Sequence, residues 1–150
     1  MPDNLSAVLR VRRVAELVAL RLSLPTRLAR QPLDRLLARL TPPERSSARS
    51  RCSGLPLARR DLLLAERGIA RLPWVPNTCL FRALARYALL QRAGADAAFV
   101  MGLSAEGMNA NGHAWVELEG KPFEEPGDIT HYRVTFRYPS AASNGKTRLL

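Results

Sequence analysis

Cys79 stands between a proline-punctuated loop, residues 72–78 (LPWVPNT), and a segment whose apolar residues recur at helical spacing, residues 78–93. A thiol at the start of a helix faces unpaired backbone N–H groups and the positive end of the helix dipole. Both effects favour thiolate over thiol, so Cys79 is a candidate nucleophile. The alternative interpretation is a small buried apolar residue, which is a common environment for cysteine.

His113 starts a segment of alternating character, residues 113–119 (HAWVELE), which predicts a strand with His113 and Trp115 on one face. A thiolate nucleophile needs a base that shares its proton, and that base needs a third group that fixes its orientation. Three acids that follow the strand are candidates for the third group: Glu124, Glu125 and Asp128. Cys79, His113 and one acid would form a triad, although chain order alone does not bring them together.

The elements that would hold these residues are helices in the N-terminal part of the chain, followed by strands in the C-terminal part. Apolar spacing predicts four helices, over 5–24, 26–40, 56–71 and 78–93, and three strands, over 97–103, 113–119 and 131–139. Pro25 is expected to end the first helix, and Pro32 leaves open whether the second is one helix or two. Cys52 lies in a polar linker, 44–54, and no role is assigned to it. This order predicts a single α+β domain, residues 1–150, with an antiparallel sheet.

The net charge of +10 is concentrated in the first half of the chain. Residues 1–71 contain 15 Arg against 6 acids, a net of +9, whereas residues 72–150 have a net of +1. Because the arginines lie among apolar helical residues without interleaved aromatics, an acidic protein or peptide is the expected partner rather than nucleic acid. Charges recur along the first helix, so no transmembrane segment is expected, and peripheral contact with an anionic membrane surface is the alternative.

Two cysteines and two histidines limit the remaining chemistry. Two cysteines do not make a disulfide framework and no secretory signal is evident, so the expected compartment is the cytoplasm. The chain has no clustered pair of cysteine and histidine, so we expect neither a metal site nor another cofactor.

Two blocks of the sequence resemble a known family. RLPWVPNTCLFRALARYALLQRAGADAAFVMGL (71–103) and GHAWVELEGKPFEE (112–125) are similar to the transglutaminase-like cysteine proteases that mature lasso peptides, in the stand-alone form without a leader-recognition domain. The resemblance covers nearly the whole chain. It implies a papain/transglutaminase-like fold with a basic helical part (1–71), a catalytic core (72–139) and a tail (140–150).

The resemblance also implies roles for individual residues. Cys79 matches the family nucleophile and His113 the family base. The third member is usually an Asp twelve residues after the His, and Glu125 stands at that position here, with Asp128 and Glu124 as competitors. Compared with the usual Asp, Glu125 keeps the negative charge, but its side chain is longer by one methylene group.

An oxyanion formed by attack of Cys79 would need two hydrogen-bond donors. The Cys79 backbone N–H lies at the helix N-terminus and is one candidate. The second donor is the Trp74 indole or the Asn77 amide, both in the preceding loop. Trp115 would shield the site from its place beside His113, although an aromatic residue on a strand is more often part of the core.

The resemblance implies a bacterial cysteine peptidase that removes the leader from a ribosomally made lasso peptide precursor. Its expected partners are the precursor peptide, a leader-recognition protein and an ATP-dependent macrolactam synthetase that closes the ring. Two alternatives stay open. One is a transglutaminase-like acyl transferase that uses the same triad, and the other is a non-catalytic binding module that uses the basic N-terminal half.

Overall fold

The computed structural model describes residues 3–43, 55–104 and 111–140. Cys52 with its linker, the loop at 105–110 and the tail after 140 lie outside the described residues. The helices are α1 (Asp3–Arg30), α2 (Leu33–Leu40), α3 (Leu55–Ile69) and α4 (Cys79–Arg92), and the strands are β1 (Ala97–Ser104), β2 (Asn111–Leu118), β3 (Lys121–Pro122) and β4 (Tyr132–Tyr138). This architecture confirms the predicted α+β class.

Helix α1 continues through Pro25 to Arg30, so the prediction that Pro25 ends the first helix is wrong. A proline inside a helix removes one backbone hydrogen bond. The buried face nevertheless continues past it, because Leu20 and Leu24 are buried and Leu28 packs against the same core. Burial of this row of leucines offsets the lost hydrogen bond.

The break in the second predicted helix falls at Pro32, so the alternative with two pieces is the one observed. Residues 26–30 belong to α1, and α2 begins at Leu33. Pro32 has φ −65° and ψ 154°, an extended conformation that separates the two helices. Leu36, Leu37 and Leu40 then supply the buried face of α2.

Helix α4 is the central element of the fold. Helices α1, α2 and α3 each contact it, and it also contacts β1 and β2. Six consecutive residues, 83–88, are buried, as expected of a helix covered on all sides. The core includes Leu17, Leu24, Leu36, Leu37, Leu62, Ile69, Leu84, Leu90, Phe99 and Val116.

In the described part of the chain, the sheet has four antiparallel strands in the order β3-β2-β1-β4. Strand β3 is a two-residue addition that the sequence did not predict. In the pairing of β1 with β2, Gly102 lies opposite His113 and Phe99 opposite Val116. The register of β1 against β4 shifts between Met101 and Gly102, which marks a bulge.

Candidate active site

Cys79 is the first residue of α4 and is partly buried. Thr78 caps the helix, because its Oγ1 accepts the Phe81 N–H at 3.4 Å. The helical ladder then begins with the Arg82 N–H, which donates to the Thr78 carbonyl at 3.0 Å. The backbone N–H groups of Cys79 and Leu80 precede that ladder, so they lie at the positive end of the helix dipole.

The Cys79 end of α4 and the His113 end of β2 lie at the same end of the domain. A tight turn at Gly94, with φ 77°, reverses the chain from α4 into β1. Fourteen helical residues and eight strand residues have comparable lengths, about 21 Å and about 26 Å. Strand β1 therefore ends near the start of α4, and the antiparallel β2 begins there with His113 as its third residue.

Glu125 is the acid that contacts His113. The Nε2 of His113 lies 3.0 Å from the Oε2 of Glu125. The His113 side chain is 18% exposed and the Glu125 side chain 5% exposed, so water competes little for this hydrogen bond. A carboxylate that holds Nε2 leaves Nδ1 as the nitrogen that can exchange a proton with a thiol.

Arg86 fixes the other oxygen of the same carboxylate. Its Nη1 donates to Glu125 Oε1 at 3.1 Å and to the carbonyls of Phe123 and Glu124 at 3.2 and 3.1 Å. Its Nε and Nη2 donate to the two oxygens of Glu66, each at 2.8 Å. A buried guanidinium with this many acceptors holds the Glu125 segment in place.

Opposite charges keep the Arg86 guanidinium ionised in its buried position. Burial alone would lower the pKa of Arg86, but the hydrogen bonds and charge of Glu66, together with the charges of Glu125 and Glu124, raise the pKa above its ordinary value. Arg86 is seven residues after Cys79 on α4, so both residues lie on nearly the same face of the helix. Glu125 therefore joins His113 to the face of α4 that begins at Cys79.

Two aromatic rings pack beside His113. Trp115 stacks with it at a centroid distance of 5.9 Å and an interplanar angle of 20°. The ring centroid of Tyr132 lies 5.2 Å from that of His113, and the rings of Trp115 and Tyr132 also contact each other. Trp115 is only 2% exposed, so it is a buried residue, as an aromatic on a strand commonly is, and its shielding of the site stays a prediction.

The two competing acids face other partners. Glu124 has φ 51° and pairs with Arg59, away from the imidazole. Asp128 is exposed and accepts the backbone N–H and the hydroxyl of Thr130, both at 2.9 Å. The backbone and side-chain hydrogen bonds from Thr130 lower the pKa of Asp128. Neither carboxylate contacts His113 in the described part of the chain.

The two candidate oxyanion donors differ in how firmly they are held. Trp74 is 61% exposed. Asn77 is also exposed, but its Oδ1 accepts a hydrogen bond of 2.6 Å from the Nη2 of Arg21. Arg21 belongs to α1, so the first helix of the chain contacts the loop that precedes the thiol.

Sequence reasoning missed Arg86 and Arg21. The sequence pattern predicts no buried role for either arginine, whereas they are 4% and 2% exposed. The spacing of Arg86, seven residues after Cys79, was a usable signal, because it predicts a shared helix face. Arg21 gave no comparable signal, since its partner is far away along the chain.

The comparison with protein families agrees with this fold. Residues 10–137 match the model of the transglutaminase-like superfamily. No curated protein sequence and no solved structure gives a significant match to the chain. Because the match covers most of the chain, the protein belongs to the transglutaminase-like superfamily.

Membership defines a class of chemistry. Proteins of this superfamily are generally cysteine peptidases or acyl transferases.

Within the described residues, no helix combines the length and apolar character that a membrane crossing requires.

Proposed function

We propose that the protein is a cysteine peptidase that removes the leader from a lasso peptide precursor. The observation that supports it most strongly is the buried Glu125 carboxylate, which contacts His113 and is held by Arg86 of the Cys79 helix. The two sequence blocks that resemble the lasso peptide proteases supply the substrate class. Cys79, His113 and Glu125 act as nucleophile, base and orienting acid.

Catalysis begins when the Cys79 thiolate attacks the carbonyl carbon before the scissile bond. A C–S bond forms, and the carbonyl π electrons move to oxygen, where the Cys79 backbone N–H stabilises the charge. His113, held through Nε2 by Glu125, then gives its Nδ1 proton to the leaving amine as the C–N bond breaks. Water activated by His113 hydrolyses the thioester and regenerates the thiol.

A docking partner would bind the basic N-terminal helices. On α1, Val8 and Val11 are 64% and 69% exposed, beside an Arg12 side chain that is 74% exposed. An apolar surface with a basic edge suits an acidic partner such as a leader-loaded recognition protein or the macrolactam synthetase. Changing Arg12, Arg27 and Arg30 to Glu should weaken such binding and reduce its salt dependence, and unchanged binding would contradict this assignment.

The test of the proposed function is leader release in a defined mixture. The wild-type protein, a lasso precursor and its recognition protein are combined, and the products are analysed by mass spectrometry. We expect a freed leader with the wild type and none with Cys79→Ala, whereas Asp128→Asn should behave as the wild type. An isopeptide adduct in place of a freed leader would assign acyl transfer instead, and equal cleavage by Cys79→Ala would refute both.

A further inference from the structure

Arg21 is a buried cation with very few partners. It is 2% exposed, and its Nε and Nη1 have no hydrogen-bond acceptor among the described residues. Its Nη2 donates to the Oδ1 of Asn77 at 2.6 Å. Burying a guanidinium with two unsatisfied nitrogens is unfavourable, so its retention points to a role at the other end of that hydrogen bond.

The surrounding charges do not explain why Arg21 is retained. Burial lowers its pKa, the Glu66 charge opposes that effect, and the charges of Arg82 and Arg86 add to it. Glu66 directs both of its carboxylate oxygens to Arg86 rather than to Arg21. Among the residues that the structure describes, the contact with Asn77 is therefore the specific hydrogen bond that Arg21 makes.

That contact fixes which end of the Asn77 amide points away from α1. A guanidinium has donors and no acceptor, so only the amide oxygen can face it. The Nδ2 group, with its two N–H donors, must then face the opposite way, on a residue that is exposed and two positions before Cys79. Trp74, the competing donor, is 61% exposed and has no comparable side-chain anchor in the described part of the chain.

We propose that Arg21 is a positioning residue that turns the Asn77 carboxamide, so that its Nδ2–H joins the Cys79 backbone N–H in the oxyanion hole. The proposal rests on the proposed function, since it assigns a part of the same thiol site. It makes α1 a part of the catalytic machinery as well as of the core. Asn77 touches the reacting carbonyl oxygen, and Arg21 acts only through Asn77.

The test separates two reactions of the same thiol. With p-nitrophenyl acetate, the thiolate adds to the carbonyl, the oxygen becomes an oxyanion, and collapse expels p-nitrophenolate while an acetyl thioester forms. With iodoacetamide, the sulfur displaces iodide at a saturated carbon, and no oxyanion forms. An oxyanion donor therefore affects the first reaction and leaves the second unchanged.

For Asn77→Ala we expect acylation by p-nitrophenyl acetate to slow by about 10²-fold, with alkylation by iodoacetamide within about twofold of wild type. For Arg21→Met we expect a smaller loss, about tenfold, because the amide is still present but no longer fixed. The double variant should be no slower than Asn77→Ala alone, since Arg21 acts through Asn77. Arg92→Met, at the exposed far end of α4, is the matched arginine control.

Several results would overturn the proposal. Wild-type acylation by Asn77→Ala would exclude the donor role, and wild-type acylation by a folded Arg21→Met would exclude the positioning role. Equal slowing of acylation and alkylation would show general disruption of the site. If Arg21→Met does not fold, Arg21→Lys keeps the charge, but its ammonium lies one bond closer to the backbone than the Nη2 that holds the Asn77 Oδ1, so the selective loss of acylation should remain. Because neither reagent is a peptide, these outcomes do not depend on whether leader cleavage is observed.

Discussion

At Glu125, one carboxylate contacts two nitrogen groups. Oε2 lies 3.0 Å from His113 and Oε1 lies 3.1 Å from Arg86, and the side chain is almost fully buried. A glutamate at this position reaches both groups with one oxygen each. Relative to the aspartate that is usual in the resembling family, Glu125 has one extra methylene group, and its second contact is with Arg86, a cation on α4.

Replacing Glu125 by Gln tests whether its charge matters. The substitution Glu125→Gln keeps the length of the side chain but removes the charge that stabilises an imidazolium, and the new amide N–H group would face a donor on one side. We expect p-nitrophenyl acetate acylation of Cys79 to fall by ~10²-fold or more, in line with the loss of an orienting acid from a triad. Stopped-flow release of p-nitrophenolate measures it.

Asp128→Asn is the matched control for that substitution. Asp128 is exposed and bound to Thr130, so the same chemical change should leave acylation unchanged. A larger loss in Asp128→Asn than in Glu125→Gln would reverse the assignment of the acid.

The residue types at the site could be predicted from sequence, and the family resemblance pointed to Glu125, but the residues alone could not choose among the three acids. Cys79 and His113 are recognisable by type, order and the elements that begin at them. Glu124 and Glu125 are adjacent and chemically identical, yet Glu124, at positive φ, pairs with Arg59 while Glu125 contacts the imidazole. That backbone angle depends on how Arg86 binds the Phe123 and Glu124 carbonyls, which is a tertiary contact.

Among the elements, β1 approaches the aromatic rings of the site closely at Gly102. A Cβ atom added there would lie 3.0 Å from Trp115 Cη2 and 3.0 Å from Tyr132 Cβ, closer than ordinary contact. These are the two rings that pack against His113. The glycine therefore allows the rings and the strand to pack at their observed distance.

Gly102→Ala should destabilise the fold and disturb the site together. The clash resembles overpacking of a core, which costs about 1–3 kcal/mol, and the expected readouts are urea unfolding and the Cys79 acylation rate. Gly112→Ala is the control, because its Cβ would meet Leu103 at 3.7 Å, an ordinary contact. If both variants unfolded at the same urea concentration, the result would contradict the claim that close packing at Gly102 makes its alanine variant less stable.

Helix α2 is joined to α4 by a buried hydroxyl pair. The Thr41 Oγ1 donates to the Leu37 carbonyl at 2.9 Å, so the Tyr87 hydroxyl is the donor in the 2.7 Å contact with Thr41. Burial raises the pKa of Tyr87 to about 12 from its ordinary 10.0. The hydrogen bond with Thr41 lowers the pKa of Tyr87, so it opposes part of the effect of burial.

The raised pKa of Tyr87 predicts a loss of stability at high pH. Below pH 10 the hydroxyl is protonated in both the folded and unfolded states. Between pH 10 and about 12 only the unfolded state ionises, so the free energy of unfolding should fall by about 3 kcal/mol. Urea unfolding across this range should show a shallower decline for Tyr87→Phe than for wild type, and parallel declines would refute the link.

Across the whole molecule, Arg86 connects three parts of the chain. It joins Glu66 of α3 to Glu125 and to the backbone at Phe123, while its own helix packs on the sheet. A chain with a charge of +10 would be expected to carry its arginines on the surface. Composition located the excess of positive charge, but it could not show that Arg21 and Arg86 are buried, because their acidic and amide partners are distant in sequence.

Arg86→Met should lower the stability of the whole domain. Methionine fills part of the volume but leaves the Glu66 and Glu125 carboxylates without their cation, and loss of one partner from a buried ion pair costs about 3–5 kcal/mol. Arg92→Met, on an exposed position of the same helix, should change the free energy of unfolding by less than about 0.5 kcal/mol. Chemical denaturation of both variants checks the difference.

Because Trp115 stacks on His113, the fluorescence of Trp115 can report the protonation state of the candidate base. A protonated imidazole quenches the emission of an indole ring that it contacts, whereas a neutral imidazole quenches it far less. The chain has two tryptophans, and the second, Trp74, is removed in Trp74→Phe. In that background the emission of Trp115 should be higher beside a neutral His113 than beside a protonated one, and His113→Gln should abolish that difference. The protonation state of the base could then be followed during turnover without an added dye.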